Sequence, residues 1–252
     1  MAVKEKVRLH LLDALRGFLL LHMIAFHGMW NLVYLFGLDI PWYSAAPGYL
    51  WQQFICWSFI LLSGFCWAMS RNHLKRGLLV FGGGVIVSLV TCTVMPESRI
   101  LFGILTCIGS CVLLLIPLER LLQKIPPLWG AALSFALFFL LRNCGGGTLG
   151  FERLVIGSLP EALYRNYLTA YFGFPQPGFF STDYFPLLPW FFLFLTGFYL
   201  FRITDRAGWN KKLFARGRFP LLNFLGKHSL IVYLLHQPVL YGLSALYFYF
   251  LK

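Results

Sequence analysis

The sequence predicts an all-α fold, a polytopic membrane helix bundle of about seven transmembrane helices with an interfacial helix on its outer side. Three observations predict it. Of 252 residues, 59% are hydrophobic and only 12% are charged, whereas a soluble domain carries about 25% charged residues to cover its surface. Apolar windows of the roughly 17 to 25 residues that cross a hydrocarbon core recur along the whole chain. Between them lie connections marked by breakers such as Pro41, Pro47, Pro96, Pro126, Pro127 and the run Gly145 to Gly147, with no room for a soluble domain. The chain reads as a single domain over 1–252.

In order, the windows run from Leu11 to Phe36, Leu50 to Ser70, Leu78 to Met95, Ile100 to Leu118, Leu128 to Arg142, Tyr184 to Phe201 and Leu221 to Phe250. The first follows a basic start, Met1 to Arg8, like that of a signal peptide. Its apolar length and the lack of a small-x-small cleavage site make it an uncleaved anchor. The fifth is short, which suits a tilted or re-entrant segment. From Cys144 to Asp183 the chain is mixed over about 40 residues, long for a connection. Within it, Leu159 to Phe174 alternates apolar residues with Glu161, Arg165 and Asn166, which predicts a short helix on the outer interface. That helix either caps a pocket or only seals the bundle. No inverted or parallel repeat is visible.

The formal net charge of +12 is a statement about topology. With a cytoplasmic N-terminus, fifteen Lys and Arg residues fall on the inside (Lys4, Lys6, Arg8; Arg71, Lys75, Arg76; Arg120, Lys124; and seven from Arg202 to Lys227). Five fall outside: Arg99, Arg142, Arg153, Arg165 and Lys252. The positive-inside rule therefore favours N-in, C-out. The same scatter argues against nucleic acid, because no basic strip gathers the charge. Six cysteines, Cys56, Cys66, Cys92, Cys107, Cys111 and Cys144, show no zinc-like pairing and read as small packing residues. No metal and no disulfide are implied.

The informative chemistry is the polar content of the spans, because an ionisable residue at a helix centre costs about 2.5 to 3.5 kcal/mol on insertion scales. The first span holds Asp13, Arg16, His22 and His27. Arg16 and His27 are eleven residues apart, which places them on one face, about 16 Å apart along the axis. Asp13 is one turn before Arg16 and can pair with it, while His22 points elsewhere. Either this is an interfacial ion pair plus a hydrogen-bonded histidine, or the face lines a crevice with a cation at the inner end and a proton acceptor at the outer end.

Motifs then accumulate along the chain. Asp13-Ala14-Leu15-Arg16-Gly17-Phe18 is followed by His27; Leu62-Ser63-Gly64 lies in the second window and Phe102-Gly103-Ile104-Leu105 in the fourth. Ser181 to Trp190 (STDYFPLLPW) enters the sixth, and Gly226-Lys227-His228-Ser229-Leu230 leads to Tyr233-Leu234-Leu235-His236-Gln237-Pro238 in the last. Together these blocks resemble the transmembrane acyltransferase superfamily, and most closely the short bacterial branch of the heparan-alpha-glucosaminide N-acetyltransferase catalytic family. The resemblance covers essentially the whole chain. One departure is Thr106, where related sequences are expected to carry histidine after Ile-Leu.

The resemblance implies an integral membrane acyltransferase that moves an acyl group, typically acetyl, from cytoplasmic acetyl-CoA to an extracytoplasmic amino-sugar or other glycan acceptor. It implies a bacterial plasma membrane location, with an oligomer compatible. His27 matches the family's histidine near the outer end of the first helix. Arg16 would meet carbonyl or phosphate oxygens of the donor. Asp183 would orient His27 or bind a polar acceptor, or else cap a helix N-terminus. His236 is either a core hydrogen-bonding residue or part of the donor pocket. Lys227 and His228 would meet CoA phosphates or snorkel to headgroups. A proton-coupled transporter or flippase, its path lined by Asp13, Arg16, His27 and His236, is the alternative.

Overall fold

The structure, a computed structural model, describes residues 9–70, 72–210 and 219–250. The basic residues Lys4, Lys6, Arg8, Arg71, Lys211, Lys212, Arg216, Arg218 and Lys252 therefore lie outside the described residues. Within them the helices are α1 (His10–Trp30), α2 (Ala46–Phe65), α3 (His73–Val94), α4 (Ile104–Leu122), α5 (Pro127–Leu141), α6 (Tyr167–Phe172), α7 (Leu187–Arg206), α8 (Pro220–Lys227) and α9 (Ser229–Phe250). A π-helical turn, Asn31–Leu35, extends α1.

Among the described residues, six helical stretches are long and apolar enough to cross a membrane: His10–Leu35, His73–Val94, Ile104–Leu122, Pro127–Gly146, Leu187–Arg206 and Ser229–Phe250. The chain is a polytopic helical membrane protein. The remaining window exists as α2, 20 residues long, but Gln52 and Gln53 side by side and the indoles of Trp51 and Trp57 dilute its apolar character. Large apolar side chains such as Leu89, Leu133, Leu235 and Leu243 are exposed, and on such helices they face acyl chains.

Two expectations are corrected. The last window is not one helix: it breaks at His228 (φ −104°, ψ 24°), where α8 ends one residue before α9 begins. The long connection from Cys144 to Asp183 holds a β-hairpin, β1 (Thr148–Phe151) paired antiparallel with β2 (Leu154–Ser158), alongside the expected short helix, which is the six-residue α6. Asn166 caps α6 with a reciprocal Thr169 bond, the capping-box arrangement.

The chain forms two compact units, Met1–Phe59 with Thr204–Lys252, and Ile60–Ile203. In the first, Leu20, Met23 and Ile55 form a buried core joined by Trp51, Leu225, Val232 and Tyr233. Here α1 and α8 meet backbone to backbone. A Cβ on Gly17 would lie 2.0 Å from the Leu222 carbonyl oxygen, and one on Gly226 would lie 1.8 Å from that of Asp13. Only glycine permits this approach, the small-residue logic of membrane helix crossings. Asn223 Nδ2 donates to the His10 carbonyl at 2.9 Å, which fastens the same crossing.

In the second unit α4 is the central helix, with ten buried residues from Ile104 to Leu115. Its ends are satisfied from outside the helix, as helix termini require. At the C-terminus Arg202 donates to the carbonyls of Leu122, Gln123 and Ile125. The hairpin rests on α5 through Phe151 stacked on Phe139, 4.3 Å between ring centroids.

Candidate active site

The two histidines of the first unit come together. His27, near the end of α1, places Nδ1 3.3 Å from Nε2 of His236 in α9, with ring centroids 4.8 Å apart at 62°. His236 is buried, and its Nδ1 meets the carbonyl of Tyr233 one turn earlier. Those partners assign the protons. A carbonyl only accepts, so His236 Nδ1 carries hydrogen; its neutral Nε2 is then an acceptor, and His27 must donate from Nδ1. The consequence is a lone pair on His27 Nε2. Sequence spacing placed His27 and His236 on separate helices with separate roles, and the structure makes them a pair.

Arg16 donates to the Asp13 carboxylate at 2.9 Å, as the i,i+3 spacing predicted. Gly226, packed on the Asp13 carbonyl, sets Lys227 and His228 at the same end of the unit as Arg16. Lys227 is exposed in the last turn of α8, where a cation complements the helix dipole. His228 packs against Phe224, ring centroids 4.8 Å apart. Three cationic or titratable groups thus gather at one end of the α1/α8 crossing. The histidine pair lies about 16 Å farther along α1 and, from His228 to His236, about 12 Å along α9. His22 is directed elsewhere, as the sequence indicated: its Nδ1 accepts from Trp51 Nε1 at 3.0 Å.

Gln237 stands beside His236 in the last sequence block, whereas Asn31 belongs to no motif. Asn31 is one turn beyond His27, and its Oδ1 accepts from Gln237 Nε2, next to His236, at 2.7 Å. A polar residue four positions after His27 on an apolar helix was the available signal.

Asp183 lies in the second unit. Its Oδ2 accepts from the Ile104 N–H at 3.3 Å, so it caps α4 rather than a helix of its own. Around it the chain is laced to the start of α4: Ser181 Oγ accepts from the Leu101 N–H at 2.9 Å, and the Phe185 N–H donates to the Phe102 carbonyl at 2.8 Å. Two sequence motifs about 80 residues apart are thereby joined, with Phe102 held at φ 56°, a conformation uncommon for a residue bearing a side chain. Burial pushes the Asp183 carboxyl up to about 6, opposed by its bond to Ile104. Among the described residues no three His, Cys, Asp or Glu side chains come together as a metal site.

The family described as "Heparan-alpha-glucosaminide N-acetyltransferase, catalytic" matches residues 8–238. Comparisons with curated proteins and with solved structures returned no match. Membrane-bound acetyltransferase activity is what membership of that family carries.

Proposed function

Since the chain belongs to the heparan-alpha-glucosaminide N-acetyltransferase catalytic family, we propose that it transfers acetyl from cytoplasmic acetyl-CoA to the amine of an extracytoplasmic amino-sugar or related glycan. The observation that carries this reading is the His27–His236 pair at 3.3 Å, set about 16 Å along α1 from Arg16. An extended pantetheine arm spans about half of a hydrocarbon core about 30 Å thick. It fits between a phosphate end at Arg16, Lys227 and His228 and a thioester at His27. Guanidinium suits the donor's phosphate and carbonyl oxygens because its fork is planar and always charged.

In the reaction the acceptor amine attacks the thioester carbonyl carbon, so a C–N bond forms as the C–S bond breaks. His27 Nε2 takes the amine proton and returns it to the departing thiolate, leaving an amide and the CoA thiol. His236 holds His27 in the required tautomer and stabilises the imidazolium that forms, the orienting role of a third group behind a base. Asp183 supports the start of α4 through the Ile104 N–H.

The orientation follows the basic residues: N-terminus cytoplasmic, Arg16 on the inner side, His27 on the outer. With α2 as a seventh crossing, 20 residues giving about 30 Å, the C-terminus is outside.

The test is acetyl-CoA binding to the detergent-purified chain by thermal shift and calorimetry. A ligand that binds only the native state raises its melting temperature. Saturable stabilisation, weakened at least ten-fold in Arg16→Ala and retained in His27→Ala with transfer abolished, is expected. Absence of binding at millimolar acetyl-CoA would overturn the assignment.

A further inference from the structure

Beside the histidine pair, the Asn31–Gln237 contact is incomplete. Asn31 Oδ1 and Gln237 Nε2 are bonded to each other at 2.7 Å, while Asn31 Nδ2 and Gln237 Oε1, both shielded from solvent, have no partner among the described residues. Two carboxamides can satisfy each other with two antiparallel bonds; these make one. Turning both amides over exchanges which residue keeps the free donor and which the free acceptor, and still leaves one of each. Asn31 is 0% exposed, and a buried unmatched amide group costs about 1 to 3 kcal/mol, a cost usually maintained for a reason.

The backbone is irregular at the same place. Asn31 opens the π-helical turn Asn31–Leu35, and the Phe36 N–H donates to the Asn31 carbonyl at 3.0 Å. This turn ends α1, and its wider winding re-aims the side chains it carries relative to a regular α-helical end. On α9 the pair is followed by Pro238, which has no N–H and loosens the helix beside Gln237.

We propose that Asn31 and Gln237 form an amide-reading subsite on the acceptor side of His27, which holds the amide as it is made and selects amine acceptors over hydroxyl acceptors. The leftover donor, Asn31 Nδ2, bonds the carbonyl oxygen of the newly made amide, and the leftover acceptor, Gln237 Oε1, takes its N–H. An amine still carries a hydrogen on nitrogen after acetylation, and an amide satisfies both groups at once. An alcohol becomes an ester with no such hydrogen and leaves Gln237 Oε1 buried and unpaired. Sites built to bond an N–H reject analogues lacking it for this reason. The placement agrees: Asn31 is beyond His27 on α1, on the side away from Arg16, so a donor arm running from Arg16 to His27 does not occupy it.

This inference rests on the acetyltransferase reading, and its test is independent of acceptor identity. Acetamide, with one carbonyl and an N–H, is titrated into the full-length protein against methyl acetate, which has the carbonyl alone. The readouts are thermal shift and the carbonyl stretch of 13C-labelled acetamide in isotope-edited infrared spectra. Acetamide at tens of millimolar should raise the melting temperature by a few degrees and show a saturable bound carbonyl band resolved from that of acetamide in water. Methyl acetate should do neither. Asn31→Leu and Gln237→Leu should each abolish the bound band while acetyl-CoA still stabilises the protein. If Asn31→Leu does not fold, the exchanged double variant Asn31→Gln with Gln237→Asn, which keeps the donor and acceptor inventory, should retain the band. No acetamide response in wild type, or an equal response in the Leu variants, overturns the subsite. Loss of acetyl-CoA binding in wild type overturns instead the function on which it rests.

Discussion

Replacing Asp183 by Asn should stabilise the protein at neutral pH and leave it unchanged in acid. Burial raises the Asp183 carboxyl from 3.8 to about 6, so the folded state binds a proton more tightly than the unfolded chain does. A raised acid contributes stability in acid that is lost as pH rises through the folded value, here between about pH 4 and 6. At about 1.4 kcal/mol per unit, the ionised carboxylate costs up to about 3 kcal/mol at pH 7.5. Asparagine carries no such charge, and its Oδ1 can still accept from the Ile104 N–H, now at 3.3 Å. By the scaling for chains of this length, the variant should melt about 5 °C or more above wild type at pH 7.5. The difference should shrink as pH falls and close only below about 3.8, where the carboxyl is protonated in both states. The assay is intrinsic-fluorescence melting in detergent at half-unit pH steps, with transferase activity measured on the same samples. A variant less stable than wild type at pH 7.5 would refute the reasoning, because the carboxylate would then be stabilised as an anion by the start of α4. Stabilisation with loss of transfer would show that the carboxylate serves activity as well as capping, since functional groups are commonly kept at a cost in stability.

Three further outcomes follow from the geometry. Gly226→Ala should lower the melting temperature sharply, because its Cβ would sit 1.8 Å from the Asp13 carbonyl oxygen and overpacking costs about 1 to 3 kcal/mol or more; Gly242→Ala, inside α9 with nothing within 4 Å, should hold or slightly raise it, since alanine favours a helix interior over glycine. His236→Phe should slow transfer by about 10²-fold or more, the scale of lost acid–base catalysis, and change the shape of the pH–rate profile with acetyl-CoA binding intact, while His236→Gln restores part of the rate. In a cysteine-free background, a membrane-impermeant maleimide should label Ile156→Cys in intact cells and reach Lys75→Cys only after lysis; the reverse pattern would invert the topology.

The sequence alone determined the membrane class, six of the spans, and the helical face shared by Arg16 and His27, because hydropathy and helical period are local properties. It also determined the family, through blocks spread from Asp13 to Pro238. The single window from Leu221 to Phe250 concealed the break at His228, since hydropathy averages over a one-residue change in backbone angles. The β-hairpin was equally hidden: nine strand residues in a mixed loop have no period long enough to register. Asp183 could be recognised as a capping residue, but the helix it caps begins 79 positions earlier in the chain.

Only the tertiary structure paired His27 with His236, 209 positions apart, and Asn31 with Gln237, 206 apart. No periodicity reaches across such a separation. What brings the pairs together is the packing of the first unit, where the Gly17 and Gly226 crossing draws α1 and α8 into backbone contact and α9 follows from the break at His228. The sequence supplied the chemical groups, and close packing of helices distant in the chain decided which of them face each other.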